Sequence, residues 1–303
     1  MIIANVQKKY LLPIIIATLF GSVFVAGRFL ADTISPLQMS FLRYCFATPI
    51  FIPFLFTRKT ELKQLSGKLF GLIALAALLS TVLYHLLFYQ ALHFAPATDI
   101  SLIHSINPLL TLLFSALILK EVITRKKITG FMVALLGVII VVSGGSFTTL
   151  ANFKINTGEL LMLCATTTWA LYSIVTKYVA PKISAPLYTA LVFGLGWLML
   201  LALLPFEWSH LSFTHLSLST WAALAYMGVG SSGLGYYLLV QATRTLGPSA
   251  TALSVYSCVP IVVAIEEIFL LHTQLSWVEL IGFACIVCGM VIALRKKSAI
   301  VST

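Results

Sequence analysis

The sequence predicts an all-α integral membrane protein with ten transmembrane helices, arranged as two inverted repeats of five helices. The first observation is composition: the 303-residue chain is 60% hydrophobic and 9% charged, whereas soluble domains carry about 25% charged residues. The second is the length of the apolar runs, about 20 residues, which is what a helix needs to cross hydrocarbon. The third is an internal repeat that covers much of the chain.

The apolar runs predict the helices in order. The first run follows Lys8 and Lys9, as a signal peptide would. Its length, and the lack of a small-residue cleavage site after it, favour an uncleaved first span. We expect helices over residues 11–31, 37–57, 68–92, 97–119, 127–145, 157–180, 186–205, 217–243, 249–271 and 277–295.

The repeat relates the two halves by an offset of 152 positions. We assign residues 1–148 to the first copy, with helices 1–5, and residues 149–303 to the second copy, with helices 6–10. The matched pairs include Ser80 and Ser232, Tyr84 and Tyr236, Pro96 and Pro248, Pro108 and Pro260, Gly130 and Gly282, and Gly137 and Gly289.

The Lys and Arg residues predict the orientation. Cytoplasmic loops retain positive charge, and the basic residues fall into alternate gaps between the apolar runs. Only Arg28 and Lys154 fall into the other gaps. Both termini are therefore expected in the cytoplasm. The gaps rich in positive charge contain Lys8, Lys9, Arg58, Lys59, Lys63, Lys68, Lys120, Arg125, Lys126, Lys127, Lys177, Lys182, Arg244, Arg295, Lys296 and Lys297.

The odd number of spans in each copy makes the second copy enter the membrane upside down. Inverted repeats of this kind are typical of transporters, in which the substrate binds near the midplane between the two copies. The net charge of +10 belongs to these membrane-facing loops, so it does not indicate nucleic-acid binding.

Short motifs in both halves carry a family resemblance. They are residues 19–28, Pro36 with Arg43, 91–98, Asn107 with Pro108, 119–121 and Gly130 to Gly137 in the first half, and residues 169–170, Lys177, 246–252, Pro260 and Gly282 to Gly289 in the second. On these residues, each half resembles the EamA unit of the drug/metabolite transporter (DMT) superfamily. The resemblance implies ten helices in two inverted repeats, in a bacterial inner membrane. It also implies transport, often export, of amino acids or other small metabolites.

The chain departs from the family pattern at two positions. Phe20 stands where the family often has tryptophan, and the glutamate that ends the fourth helix, Glu121, has Thr273 as its repeat counterpart. These departures leave the substrate open.

The candidate substrate-binding residues are polar rings inside the spans, because such side chains are costly in the membrane and usually face a cavity. The offset pairs His85 with Tyr237 and His104 with Tyr256, and each of the four is expected near the midplane. Further candidates for the cavity wall are Tyr84, Tyr89, Trp169 and Tyr172. Packing against the backbone is the alternative role. The histidines also leave proton coupling open, because histidine titrates near neutral pH.

The charges within the spans form a second group. Arg43 lies in the second span, and Glu266 and Glu267 lie at a comparable depth in the ninth. They predict an ion pair or a coupling site. Adjacent residues on a helix point about 100° apart, so at most one of the two glutamates is expected to face inward.

We predict no cofactor, no metal and no nucleotide hydrolysis, because the sequence lacks GxxxxGK[ST], HExxH and a serine elbow with partners. The expected function is secondary transport of a small metabolite, most simply export of an amino acid or derivative. Alternatives are a multidrug or organic-cation exporter and a proton-coupled uptake transporter. An intramembrane enzyme and a sensor are disfavoured, since clustered acid–base groups and a soluble output domain are lacking. The expected partners are a small solute and membrane lipid, with the protein as a monomer or homodimer.

Overall fold

The computed structural model describes residues 2–120, 124–146, 156–210, 216–239, 242, 248–272 and 274–294. Every regular element within these ranges is helical, which confirms the predicted all-α class. Several residues used in the sequence analysis lie outside the described ranges. They are Glu121, Lys154, Arg244, Thr273, Arg295, Lys296 and Lys297.

The helices follow one another with short connections. The first set comprises α1 (Ile2–Ala31), α2 (Pro36–Thr57), α3 (Lys59–Lys63), α4 (Gly67–Ala77), the π-helix π1 (Leu78–Tyr84), α5 (His85–Phe94), α6 (Ala97–His104), α7 (Asn107–Leu119) and α8 (Arg125–Val142). The second set comprises α9 (Thr157–Val179), α10 (Ala185–Leu203), α11 (Leu218–Ala225), the π-helix π2 (Tyr226–Gly235), α12 (Pro248–Leu271) and α13 (Trp277–Leu294). Short 3₁₀ turns span Ala180–Lys182 and Leu204–His210.

Serine caps begin several of these helices. The Ser35 hydroxyl accepts a hydrogen bond from the Gln38 backbone N–H at 3.2 Å, immediately before Pro36. Ser66 and Ser217 cap α4 and α11 in the same way. A serine oxygen satisfies one of the backbone donors left free at a helix start, and proline suits the first helical position.

Six helical stretches in the described ranges are long and apolar enough to cross a membrane. The shorter helix Trp277–Ala293 is also apolar. The count of ten crossings stays a prediction. The six are Leu11–Ala31, Pro36–Thr57, Gly67–Phe94, Ala97–Leu119, Thr157–Val179 and Ala185–Glu207.

Several helices depart from regular α geometry inside the spans. The π-helices π1 and π2 lie at positions that overlap under the repeat offset. A π turn leaves a carbonyl without its usual partner. His85 Nδ1 donates to the Ser80 carbonyl at 2.8 Å, and the Ser232 hydroxyl donates to the Met227 carbonyl at 3.3 Å. Side chains thus satisfy backbone groups that hydrocarbon could not.

A break separates α6 from α7 after His104. Pro108 occupies one of the first two positions of α7, where its missing N–H costs no helical hydrogen bond. The bend expected from this proline therefore takes the form of an interrupted helix. Pro260 lies inside α12, which continues through it.

The helix connections meet in two groups, one at each end of the bundle. At one end, the Ser35 hydroxyl donates to Glu207 at 2.6 Å, and the Asn156 side chain donates to the Phe94 carbonyl at 2.9 Å. At the other end, the Ser184 backbone N–H donates to Glu61 at 3.1 Å. Hydrogen bonding to Ser184 lowers the pKa of the Glu61 carboxyl, so this contact persists at neutral pH and is lost as the pH falls through that pKa.

Helices α8 and α13 pack with their backbones in contact. A Cβ atom on Gly289 would lie 2.5 Å from the Ala134 nitrogen, and one on Gly137 would lie 2.6 Å from the Gly282 carbonyl oxygen. Gly130 faces Gly289 in the same way. We call these four glycines the glycine seam. Small residues allow this close approach, which is a major source of helix association in membranes.

We expect Gly289→Leu to destabilise the protein by about 1–3 kcal/mol or more, because the added side chain must push α8 and α13 apart. The measurement is the thermal unfolding midpoint in detergent, read from the fraction of protein that stays monodisperse as the temperature rises. Gly71→Leu on α4 is the matched control, since a Cβ there meets nothing within 4 Å. Equal thermal unfolding midpoints for Gly289→Leu and Gly71→Leu would contradict the close packing of α8 on α13 at the glycine seam.

Candidate functional site

A central cavity of about 70 Å³ lies among seven of the helical stretches. Its wall is mostly aromatic, with one arginine and two histidines. The lining residues are Phe20, Val23, Phe24, Arg43, Tyr84, His85, Phe88, His104, Trp169, Ser231, Tyr236, Leu239, Val255, Tyr256 and Val259. Both halves of the sequence therefore contribute to one cavity.

Tyr84 stands at the centre of the aromatic wall. Its ring centroid lies 4.6 Å from that of Trp169 and 5.5 Å from that of His104. On the opposite side, His104 and Tyr256 lie 5.6 Å apart. The Trp169 Nε1–H donates to the Tyr256 hydroxyl at 3.3 Å. This bond fixes the orientation of two rings that come from different helices of the second half.

His85 is held firmly in the wall. Its Nδ1 carries the proton in the bond to Ser80, because a carbonyl oxygen only accepts. Its ring meets the Tyr44 ring edge-on at 5.3 Å, and the Tyr44 hydroxyl lies 3.5 Å from Nδ1. The described contacts of Nδ1 are thus internal to the protein, which favours a structural role for this side of the ring.

His104 differs from His85 in its polar contacts. Its side chain is 7% exposed, and its Nδ1 has no hydrogen-bond partner among the described residues. A buried polar atom without a partner is costly. His104 is therefore the histidine with hydrogen-bonding capacity left for a solute.

Arg43 projects from α2 into the cavity wall and is 5% exposed. Its Nη1 donates to the Tyr89 hydroxyl at 2.7 Å, and its Nε donates to Ser232 at 3.0 Å. Its Nη2 donates to Ser231 at 3.4 Å. All three acceptors are neutral hydroxyl oxygens.

The predicted ion pair between Arg43 and the glutamates is wrong. Glu266 accepts a hydrogen bond from the Ser22 hydroxyl at 2.5 Å. Glu267 binds the start of α6 instead: it accepts from the backbone N–H groups of Ala97 at 3.0 Å and Thr98 at 2.7 Å, and from the Thr98 hydroxyl. A helix start offers free N–H groups and a positive dipole end, which compete well for a buried carboxylate.

The two glutamates do point in different directions. Glu267 is 2% exposed, whereas Glu266 is half-buried. The two side chains diverge, as the 100° rotation between neighbours requires, but the Glu266 Oε2 atom is also buried and has no hydrogen-bond partner among the described residues. We call the contact of Glu267 with α6 the Glu267 cap.

Tyr237 is placed away from the cavity, contrary to the prediction. It is 60% exposed and shares its face with Leu234, which is 50% exposed. Residues three apart lie on one helix face, so this face points outward. Tyr236 lines the cavity instead. The π turns of π2 shift the helical phase, so pairing Tyr237 with His85 selected the wrong side chain.

The remaining predicted residues fall near the cavity. Tyr84, His85, His104, Trp169 and Tyr256 line it. Tyr89 lies behind the wall, where it binds Arg43. Tyr172 packs on Trp169 with ring centroids 5.1 Å apart.

Several wall residues were not predicted from the sequence, among them Phe24, Phe88, Ser231 and Tyr236. Tyr236 could have been predicted, because the offset already paired it with Tyr84. Phe24 and Phe88 carried no signal beyond being aromatic in apolar runs. In the described part of the chain, no cluster of three or more His, Cys, Asp or Glu side chains could hold a metal ion.

A second, polar cavity of about 480 Å³ lies at the end of the bundle where α1 meets α5. Arg28 forms a 3.2 Å ion pair with Asp32 on its wall. His93 and Glu267 also line it. We call it the vestibule. Helix α6 begins at the Glu267 cap beside the vestibule and ends at His104 in the central cavity.

Several relatives of known sequence are named uncharacterized transporters. The chain is 27% identical over 277 residues to the uncharacterized transporter YyaM of Bacillus subtilis (strain 168), and the match covers 90% of this chain and 89% of that protein. It is 23% identical to the uncharacterized transporter YetK of the same organism, over 91% of this chain and 84% of that protein. It is 24% identical to a WAT1-related protein of Arabidopsis thaliana, over 92% of this chain and 82% of that protein.

The fold has a counterpart among crystal structures. One solved chain superimposes with a TM-score of 0.64 at 19% sequence identity, and the match covers 95% of this chain and 96% of that chain. At this identity the likeness concerns the fold.

The family comparison accounts for nearly the whole sequence. The model of the EamA-like transporter family matches twice, over residues 7–143 and again over residues 156–295. With the apolar helices described above, this match identifies a multi-pass membrane transporter. The chain belongs to the EamA-like transporter family.

Proposed function

We propose that this protein is a secondary transporter that exports a small metabolite, an amino acid or a derivative of one, across the bacterial inner membrane by alternating access. The central cavity carries the proposal, because both halves of the chain build it and it combines aromatic rings with Arg43 and His104. A small cavity with a few polar groups between repeats is where transporters bind their solutes.

The proposal includes ten membrane crossings in two inverted repeats. Several contacts support a two-fold relation between the halves. Under the offset of 152 positions, Gly130 is equivalent to Gly282 and Gly137 is equivalent to Gly289. The Gly130–Gly289 contact is therefore equivalent to the Gly137–Gly282 contact. Cys45 and Trp197 are equivalent under the offset, and they touch each other at 3.2 Å. Lys120 and His272 are also equivalent, and both have φ of 55°.

The size of the cavity favours a contracted state. Its volume of about 70 Å³ is far below the roughly 300–1,000 Å³ of pockets that hold small molecules. A metabolite therefore requires the surrounding helices to separate. The π-helices and the break after His104 adjoin the cavity, and irregular helix segments of this kind often mark hinges.

The Glu267 cap suits a closure between the vestibule and the cavity. It joins α12 of the second half to α6 of the first. Opening this side requires the carboxylate to leave the helix start or to move together with it. We place the vestibule on the outer face, because the loops around it contain few basic residues.

An exporter of organic cations is the second candidate, since cations bind aromatic faces. The buried charge of Arg43 in the wall opposes it through like-charge repulsion. Proton-coupled uptake is the third candidate, because His104 retains a free ring nitrogen. The proposed direction, out of the cell, follows the family resemblance.

We expect Tyr256→Phe to reduce transport several-fold, because it leaves the Trp169 N–H without its acceptor and loosens the cavity wall. The measurement is uptake of radiolabelled amino acids and amines into proteoliposomes. Tyr237→Phe, which removes the same hydroxyl from an exposed tyrosine, should transport like the wild type. If the two variants have equal rates, the cavity is not on the transport path.

We expect both ends of the chain, and Gln64, to lie in the cytoplasm, with Thr33 outside. Single cysteines at Thr33 and Gln64 in a cysteine-free background, and tags at each terminus, are exposed to a membrane-impermeant maleimide or antibody. Thr33→Cys should react in intact cells. Gln64→Cys and both tags should react only after permeabilisation. Tags on opposite sides of the membrane would rule out ten crossings.

We expect Glu267→Ala to lower the free energy of unfolding by roughly 1–2 kcal/mol, the usual cost of losing a helix N-cap, and to slow transport. Glu267→Gln keeps the shape of the side chain. Its free energy of unfolding and its transport rate should therefore lie between those of Glu267→Ala and the wild type. Glu266→Ala is the neighbouring control, because this residue is less buried than Glu267 and its one described hydrogen bond is accepted from the Ser22 hydroxyl, not from a helix start. If Glu266→Ala lowers the free energy of unfolding and the transport rate as much as Glu267→Ala does, the proposed role of the Glu267 cap in closure is wrong.

A further inference from the structure

The charge of Arg43 has no acidic partner in the described part of the chain. The ion pairs there join Arg28 with Asp32 and Arg58 with Glu61. Of the nine acidic residues in the sequence, only Glu121 lies outside the described ranges. In the sequence, Glu121 is the second residue after Leu119, where α7 ends.

A buried guanidinium with only neutral acceptors is unusual, because removing a charge from water is costly unless an opposite charge compensates it. Arg43 is 5% exposed, and Tyr89, Ser231 and Ser232 accept its hydrogen bonds. These hydroxyls solvate the charge but do not neutralise it. Arg43 also forms part of the cavity wall, so a solute in the cavity can reach it.

The described hydrogen bonds of Arg43 leave two of its donors unused. A guanidinium has five N–H donors. One bond is formed by Nε, one by Nη1 and one by Nη2, so each terminal nitrogen retains one further N–H. Donors on both terminal nitrogens allow a guanidinium to bind the two oxygens of a carboxylate.

We infer that Arg43 binds the carboxylate of the transported solute and that this ion pair sets the substrate class. The inference rests on the proposed transport function and makes it more specific. The free Nδ1 of His104 provides a second polar contact in the same cavity. The rings of Phe24, Tyr84 and Trp169 would enclose the apolar body between them.

This arrangement selects small amphipathic carboxylates and rejects organic cations. A cationic solute would meet the positive charge of Arg43 at close range in a region of low dielectric constant. An uncharged amide of the same shape would leave that charge unneutralised. Binding should therefore depend on the carboxylate more than on the rest of the solute.

The experiment compares solutes of nearly the same shape in proteoliposomes. Phenylalanine and 3-phenylpropionate keep the carboxylate, while 3-phenylpropionamide, which is uncharged, and phenethylamine lack it. For the wild type, we expect the carboxylates to be transported, or to compete, at least tenfold better than the amide and the amine. Arg43→Gln should abolish this preference, and Arg43→Lys, which keeps the charge but loses the paired donors, should weaken it.

Arg28→Gln is the matched control, because its guanidinium pairs with Asp32 outside the central cavity. It should keep the carboxylate preference. A preference that survives in Arg43→Gln, or a wild type that transports acid and amide equally, would overturn the inference and leave the transport function intact.

A binding assay separates this inference from the proposed function. The thermal midpoint of purified wild type and of Arg43→Lys is measured with each solute, and with sodium chloride replaced by sodium sulfate. Stabilisation of the wild type by carboxylates but not by the amide, weakened in Arg43→Lys, supports the inference even if no transport is seen. Stabilisation by chloride alone, with no effect of the carboxylates, would assign Arg43 to an inorganic anion and overturn it.

Discussion

The structure depends on one constraint: inside hydrocarbon, each backbone N–H and carbonyl must find a partner within the protein. Regular helices meet this requirement by themselves, which is why helices form every regular element in the described part of the chain. The departures from regularity occur where side chains replace the missing partners. His85 serves the Ser80 carbonyl, and Glu267 serves the free N–H groups at the start of α6.

These replacements are concentrated around the central cavity. The residue that satisfies the π1 backbone, His85, also forms cavity wall. Ser232 satisfies the π2 backbone and at the same time accepts from Arg43. The irregular backbone is therefore tolerated at the place where the protein also holds its buried charge. Polar groups inside a membrane usually mark a functional site for this reason.

Composition and periodicity were sufficient to predict the helical class, and the polar rings inside the apolar spans located five of the fifteen residues that line the cavity. Tyr84, His104, Trp169 and Tyr256 were found because polar rings are costly in apolar spans. Two predictions failed for physical reasons that a single sequence does not reveal. The phase of π2 turned Tyr237 outward, and the start of α6 attracted Glu267 away from Arg43. Helix phase and helix-end electrostatics arise from tertiary packing, which spacing alone does not report.

The glycine seam has a consequence for biosynthesis. Helix α8 can bury its glycine face only against α13, the last helix in the described ranges. A ribosome adds about 5–20 residues per second, so the stretch from the end of α8 at Val142 to the end of α13 at Leu294 takes roughly 8–30 s to synthesise. During that interval, the first half must keep its glycine face in lipid. Completion of the bundle is therefore a late event that follows synthesis of the second half, and a truncated chain would leave this surface open.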